Sequence, residues 1–345
     1  MKRVGLLGLP QSGKSTVFEI ILAGAGAAAT TSSGREQVGV VRVPDPRLDR
    51  LTELCRPERK VHAQIQFVDT AAAPATPRKL SRGPDLFAAV RNSDALALVV
   101  RDFDGTPEGA ALSDLRTLET DLILGDLAVV EGRLERVEKE IKVGQRRSER
   151  ELALLRRCRQ ALEAERPLRS EHFEAEEEKM LRGFQLLTLK PLMVIYNQGE
   201  RSGTAPPAGG PQAESVTLKA VLEREVLSLP AAERDRFRGE MGVPEEALSI
   251  VIRACYRLMG LITFFTIGED EVRGWPVRRG ASAVEAAGEI HTDLARGFIR
   301  AEVIPWDKLL EAGSEKNARE RGWLRLEGRD YEVQDGDCLT IRFSR

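Results

Sequence analysis

The most specific chemistry in this sequence lies in Gly8-Leu9-Pro10-Gln11-Ser12-Gly13-Lys14-Ser15, which fits the spacing G-x-x-x-x-G-K-[ST] at every fixed position. A polyphosphate needs backbone N–H donors turned inward from a tight loop, and side chains at Gly8 and Gly13 would obstruct that approach. Lys14 supplies positive charge to the outer phosphates, and Ser15 offers a hydroxyl to Mg²⁺. A helix starting there presents its positive dipole end to the same phosphates. Gln11, Ser12, Gly13, Lys14, Ser15 and Thr16 are therefore the expected nucleotide-binding residues of a P-loop.

Two later positions complete the expected site. Asp69 stands at the end of the alternating stretch His62 to Val68, where a carboxylate can hold Mg²⁺ through water, so the metal set is Ser15 and Asp69. Asn197-Gln198-Gly199-Glu200 leaves the apolar run Pro191 to Tyr196, the place where a P-loop protein reads the base, which nominates Asn197 and Glu200. Ser33, in the Ala/Gly/Thr/Ser-rich stretch Ala23 to Ser33, reads equally as a second hydroxyl on Mg²⁺ or as part of a plain linker. No residue identifies itself as the catalytic base.

The elements that must position these groups are legible as patterns. Val4 to Leu7 is a strand before the loop, and Thr16 to Leu22 is a helix after it. Ala95 to Val100 and Pro191 to Tyr196 are continuous apolar strands, which implies a parallel sheet covered on both faces and hence an α/β core. Between them Leu127, Val130, Leu134, Val137 and Ile141 recur at spacings of three and four. Leu152, Leu155, Cys158 and Leu162 continue that seam after a break at Gly144-Gln145, which predicts an antiparallel helical hairpin. After Leu261 the rhythm changes to strands flanking a helix over Ala283 to Ile290, the pattern of a small β-grasp module. The expected organisation is a nucleotide-binding domain over 1–112 and 188–260, an inserted coiled-coil arm over 113–187, and a β-grasp domain over 261–345.

Composition narrows the partners. Across 345 residues the formal charge is only −2, so any affinity for nucleic acid must come from local segregation of charge. Such segregation exists in the arm, where Arg133 to Arg169 holds twelve Lys or Arg against seven Glu. That run reads either as a solvated helical face or as a basic surface for RNA phosphates. The four cysteines, Cys55, Cys158, Cys255 and Cys338, lie far apart with no C-x-x-C pair, which argues for free thiols. No segment approaches the length of a membrane span, and a cytoplasmic protein is expected.

Taken in order, these pieces resemble the YchF/Obg-like ATPase family of P-loop proteins. The resemblance runs over Gly8 to Thr16, the Pro-Asp-Pro-Arg-Leu-Asp stretch from Pro44, Phe67-Val68-Asp69, the coiled-coil insertion and Asn197 to Glu200. It continues through a C-terminal TGS module and is strongest over Glu289-Ile290-His291-Thr292-Asp293 and Gly297 to Val303. It implies ATP and Mg²⁺ as ligands, slow hydrolysis, and association with the ribosome or ribosomal RNA, without recognition of DNA sequence. Two alternatives stay open: a nucleotide-binding protein that scarcely hydrolyses, and a GTP-preferring GTPase.

The chain departs from the family pattern around the nucleotide. Gln11 stands where the family has Asn, and Gln198 where it has an apolar residue. Asp69-Thr70-Ala71-Ala72 ends in Ala where the family has Gly, and no His follows Arg101-Asp102-Phe103. These differences predict binding with slow turnover.

Overall fold

The computed structural model describes residues 1–24, 30–32, 36–70, 87–103, 109–142, 149–199, 213–242 and 246–344. They form two compact units, Met1–Val41 with Gln66–Leu258, and Arg42–Ile65 with Met259–Arg345.

The first unit is built on a seven-stranded sheet in the order β2 (Thr30–Ser32), β3 (Glu36–Arg42), β5 (Gln64–Thr70), β1 (Lys2–Gly8), β6 (Ala95–Asp102), β7 (Leu192–Gln198) and β8 (Ala213–Leu218). Strands β1, β6, β7 and β8 run parallel, as continuous apolar runs require. Helices α1 (Lys14–Gly24), α7 (Ala220–Ser228) and α9 (Ala247–Leu258) pack together on the sheet, with α8 (Ala231–Glu240) against α7. A buried ion pair of 2.7 Å, Arg238 with Glu223, joins α8 to α7. Elsewhere α3 (Ala88–Arg91) and the first half of α4 (Ala110–Lys142) bury Val90, Leu118 and Leu122 against Leu96, Leu98 and Val194.

Helix α4 has 33 residues, a length of about 50 Å at 1.5 Å per residue. Its second half leaves the core and pairs with α5 (Glu149–Glu163), burying Val130, Leu134 and Val137 with Leu154, Leu155 and Cys158. One continuous helix thus carries the arm. Asp126 pins its root: the buried carboxylate accepts from the backbone N–H of Leu187 at 2.9 Å, the N–H of Thr188 at 2.6 Å and the Thr188 hydroxyl at 2.8 Å. Burial pushes the Asp126 carboxyl above its ordinary range, and these hydrogen bonds only partly oppose that. The short helix α6 (Ala175–Leu181) lies on the return path and opens with a capping box formed by Glu174 and Glu177.

In the second unit a six-stranded sheet has the order β12 (Arg325–Glu327), β11 (Phe298–Pro305), β13 (Asp337–Phe343), β9 (Leu261–Ile267), β10 (Glu271–Arg278) and β4 (Arg59–Val61). Helices α10 (Ala283–Ile290) and α11 (Thr292–Arg296) serve one face, whose core includes Ile262, Phe264, Val303 and Leu339. The alternate residues Phe265, Ile304 and Cys338 point to a second core. There they meet α2 (Pro46–Cys55), α12 (Trp306–Ala312) and α13 (Glu315–Glu320), which bring Leu48, Leu51, Leu309 and Ala318.

Helix α2 and strand β4 come from 42–65, a stretch read from sequence as part of the nucleotide-binding core. Asp45 caps α2 by accepting from the Arg47 N–H at 3.0 Å, with Pro46 in the first turn. The Arg47 guanidinium bonds Asp45 at 2.8 Å and Asp335 at 3.1 Å and lies over the Phe265 ring. That is the structural use of Pro-Asp-Pro-Arg-Leu-Asp. Strand β10 also escapes a sequence reading, because Pro276 interrupts its pattern. Only Glu271 to Arg273 pair with β4, so Pro276 sits where β10 is an edge and a missing N–H is tolerated.

Candidate functional site

The P-loop leaves the C-terminal end of β1 and enters α1, with β5 and β6 as the neighbours of β1. Two of its residues need left-handed backbone: Gln11 at φ +65° and Gly13 at φ +84°. Gln11 pays a steric penalty there that glycine avoids and that Asn tolerates better. Gly13 is required twice over, since a Cβ would also overlap Nδ2 of Asn197. Ser12 is buried and its hydroxyl has no hydrogen-bond partner among the described residues, whereas Gln11 and Ser15 are exposed and Thr16 is half-buried.

The structure brings Lys14, Asp69 and Asn197 to this loop. The Lys14 ammonium is buried in an ion pair with the Asp69 carboxylate at the end of β5. Asn197, buried near the end of β7, donates from Nδ2 to the Ser12 carbonyl at 3.0 Å, and its Oδ1 accepts from the Ala220 N–H at 3.4 Å. Asn197 therefore ties the phosphate loop to the start of α7. Glu200, Ser33 and Ala71 to Ala73 lie outside the described residues.

A polar pair beside Asn197 was not anticipated. Gln198 donates through Nε2 to Asp102 at 2.8 Å, across the parallel register that aligns Asp102 with Gln198. The sequence signal was available only jointly: each residue alone is an unremarkable polar group at a strand end. Next to them Arg101 grips the buried Asp114 of α4 at 2.7 Å, which raises the guanidinium pKa through the hydrogen bond and leaves it fully charged.

These groups fit a triphosphate with Mg²⁺. A buried hydroxyl without a partner among the described residues, a lysine held on a carboxylate and an exposed Ser15 at a helix start converge on one glycine-lined loop. Among the described residues no cluster of three or more His, Cys, Asp or Glu could hold a metal by itself. Mg²⁺ does not need one, since it takes few protein ligands and completes its shell with phosphate oxygens and water.

Residues 261–344 match the family model YchF-GTPase_C, described as a protein of unknown function (DUF933). Over 360 residues the chain is 37% identical to a Bacillus subtilis protein named ribosome-binding ATPase YchF, covering 99% of this chain and 98% of the relative. The chain belongs to the YchF family. A ribosome-binding ATPase YchF of Escherichia coli O157:H7 is 36% identical over 99% of both chains. The solved YchF GTPase of Schizosaccharomyces pombe superposes with a TM-score of 0.84 at 27% identity, covering 99% of this chain and 97% of that one. The P-loop core, helical insertion and C-terminal sheet of this YchF protein are thus the architecture that its sequence led us to expect.

Much of the arm's positive charge is internally neutralised. Arg133 pairs with Glu140 and Glu151, Arg156 with Glu138, Arg157 with Glu177, Arg159 with Glu163, Arg166 with Glu171, and Arg169 with Glu119. Among the described residues Arg136, Lys139, Lys142 and Arg150 have no ion pair, and all four lie towards the distal end of the hairpin. Among the described residues no helix is long and apolar enough to cross a membrane.

Proposed function

We propose that this YchF protein is a ribosome-associated P-loop ATPase of low turnover. The observation that carries it is the convergence of Lys14, Asp69 and Asn197 on the phosphate loop, in a chain that matches ribosome-binding ATPases along nearly its whole length. Lys14 and the loop N–H groups would bind the outer phosphates, Ser15 and Asp69 would hold Mg²⁺, and Asn197 fixes the loop. Mg²⁺ would neutralise charge on the phosphate oxygens. Lys14 must exchange Asp69 for phosphate, which leaves the carboxylate available to the metal. The site is held dry on the protein side, with Ser12, Lys14, Asp69 and Asn197 all buried.

Adenine preference rests on Glu200, one carbon longer than the Asp that accepts two hydrogen bonds from guanine in an Asn-Lys-x-Asp motif. Asn197, nominated with Glu200 at the base-reading place, serves the loop instead, because its carbonyl and one amide hydrogen already engage Ala220 and Ser12. Low turnover follows from Ala72 in place of Gly, which narrows the backbone freedom of the loop after Asp69, and from the lack of a water-orienting side chain at Ala73. The test is direct titration of ATP and GTP with Mg²⁺, together with co-sedimentation on ribosomes. Tighter ATP binding and a ribosome pellet support the reading; equal or tighter GTP binding, or no pellet, contradicts it.

A further inference from the structure

The Gln198–Asp102 pair has no part in phosphate binding, yet it stands at the place nominated for reading the base. Asp102 ends β6 and Gln198 ends β7, and the parallel register sets them side by side. In an open α/β sheet the C-terminal ends of the strands are where ligands are received. Side chains alternate in direction along β7. Asn197 serves the loop through Ser12, while Gln198 turns to Asp102 and donates to it through Nε2 at 2.8 Å.

Gln198 is only 7% exposed, and a buried amide is unfavourable wherever its hydrogen-bonding groups are not engaged. The apolar residue that the family pattern has at this position carries no such cost. Asp102 is half-buried and its neighbour Arg101 is committed to Asp114, so no ion pair among the described residues neutralises the Asp102 carboxylate. That charge reaches Tyr196, two residues before Gln198: burial, with the Asp102 carboxylate adding to it, pushes the Tyr196 hydroxyl above its ordinary range. A buried amide beside an uncompensated carboxylate breaks the rules of a good core, and such breaks are expected at functional sites.

The pair is also directional. A carboxylate only accepts hydrogen bonds, so Asp102 holds the amide with its NH₂ inward and its carbonyl oxygen, Oε1, at the far end. Oε1 is an acceptor with two lone pairs. Adenine and guanine differ in kind at position 6 of the purine, where adenine has an amino donor and guanine an oxo acceptor. An oriented acceptor attracts the first and repels the second.

We propose that Gln198 is a specificity-determining residue whose Oε1 accepts a hydrogen bond from the 6-amino group of adenine, and that Asp102 is the positioning residue that keeps the amide from turning over. The inference deepens the ATP reading and rests on it. Glu200 selects against guanine by failing to serve its two donors, whereas Gln198 selects at position 6, so the two act on different edges of the base.

The experiment is calorimetric titration of the full chain, in Mg²⁺, with four triphosphates. These are ATP, GTP, inosine triphosphate, which has the 6-oxo group without the 2-amino group, and purine riboside triphosphate, which has nothing at position 6. The wild type is expected to bind ATP about tenfold or more tightly than inosine triphosphate. Gln198→Leu should lower that ratio about tenfold while binding purine riboside triphosphate within about threefold of the wild type. Gln198→Met, which keeps the length of the side chain, should do the same, so poor packing of Leu would not hide the result. Asp102→Asn can accept as well as donate and frees the amide to turn, so it should lower the ratio about threefold or more. An ATP to inosine triphosphate ratio that all three variants leave unchanged, or an equal weakening of all four nucleotides, would overturn the proposal and reduce the pair to packing. So would a wild type that binds ATP and inosine triphosphate equally. A wild type that prefers ATP to inosine triphosphate through Gln198 but binds GTP as tightly as ATP would support the role of Gln198 and contradict the ATP reading alone.

Discussion

Asn197 and Ser12, 185 residues apart in sequence, meet in a hydrogen bond of 3.0 Å from the Asn197 amide to the Ser12 carbonyl. The bond ties the loop to the end of β7. Asn197→Ala removes a buried partner and leaves the Ser12 carbonyl unsatisfied, a loss of about 1–3 kcal/mol. ATP and GTP should then both bind about tenfold or more weakly, at an unchanged ratio. Calorimetric titration with both nucleotides checks this; a change confined to one nucleotide would return Asn197 to base reading.

Asp69 faces two demands, since it holds Lys14 in the structure and is the carboxylate we propose for Mg²⁺. Asp69→Asn removes the competitor for Lys14 and the metal ligand together. In EDTA the variant should bind ATP at least as tightly as the wild type, and the affinity gained on adding Mg²⁺ should shrink by about tenfold. Affinities measured with and without Mg²⁺ decide it: a variant weaker in EDTA contradicts the exchange of Lys14 between carboxylate and phosphate.

Leu51 of α2 is fully buried in the second core of the C-terminal sheet. Truncation to Ala should cost about 2–5 kcal/mol through lost burial and a residual cavity. All three tryptophans, Trp275, Trp306 and Trp323, belong to that unit and report its unfolding by fluorescence. Leu51→Ala should move the tryptophan transition to lower denaturant; an unmoved midpoint would mean that α2 is dispensable to the sheet.

Thiol reactivity should separate the cysteines. Burial pushes the Cys158 thiol up to about 11 and the Cys255 thiol up to about 12, and Cys338 is raised by the same cause. A raised thiol pKa leaves less reactive thiolate at any lower pH, and burial blocks access as well. Cys55, half-buried, is raised too, so its labelling rate should climb at higher pH than that of free cysteine. With a disulfide reagent at about pH 8, only one of the four thiols should react before denaturation. Rapid labelling of a second thiol in the native protein would contradict the packing around Cys158, Cys255 or Cys338.

The sequence made visible whatever is periodic or strictly spaced. The P-loop, the apolar runs of β6 and β7, the heptad seam of the arm and helix 283–290 all appear where their patterns lie. Partners across long sequence separations were not legible. Arg59-Lys60-Val61 carries no strand signal, and it becomes β4 only because the edge of β10 receives it. Arg47 looks like one more surface cation until Asp335 and Phe265 come to it from the far end of the chain. Asn197 is nominated as a site residue by its place at the end of an apolar run, but its bond to Ser12 depends on how the loop turns at Gly13. The arm's net charge was not legible for the same reason, since residue counts do not show which arginines already face a glutamate.

The central claim is that this site binds ATP with Mg²⁺ through Lys14 and Asp69 and turns it over slowly because the loop after Asp69 ends in Ala72. Single-turnover hydrolysis, with ATP beside GTP on the wild type and on Ala72→Gly, tests it most directly. The account predicts slow cleavage of ATP in preference to GTP, abolished by Lys14→Ala, and a rate increase of about fivefold or more in Ala72→Gly as the loop regains backbone freedom. Faster cleavage of GTP than ATP, cleavage that survives Lys14→Ala, or an unchanged rate in Ala72→Gly would contradict it.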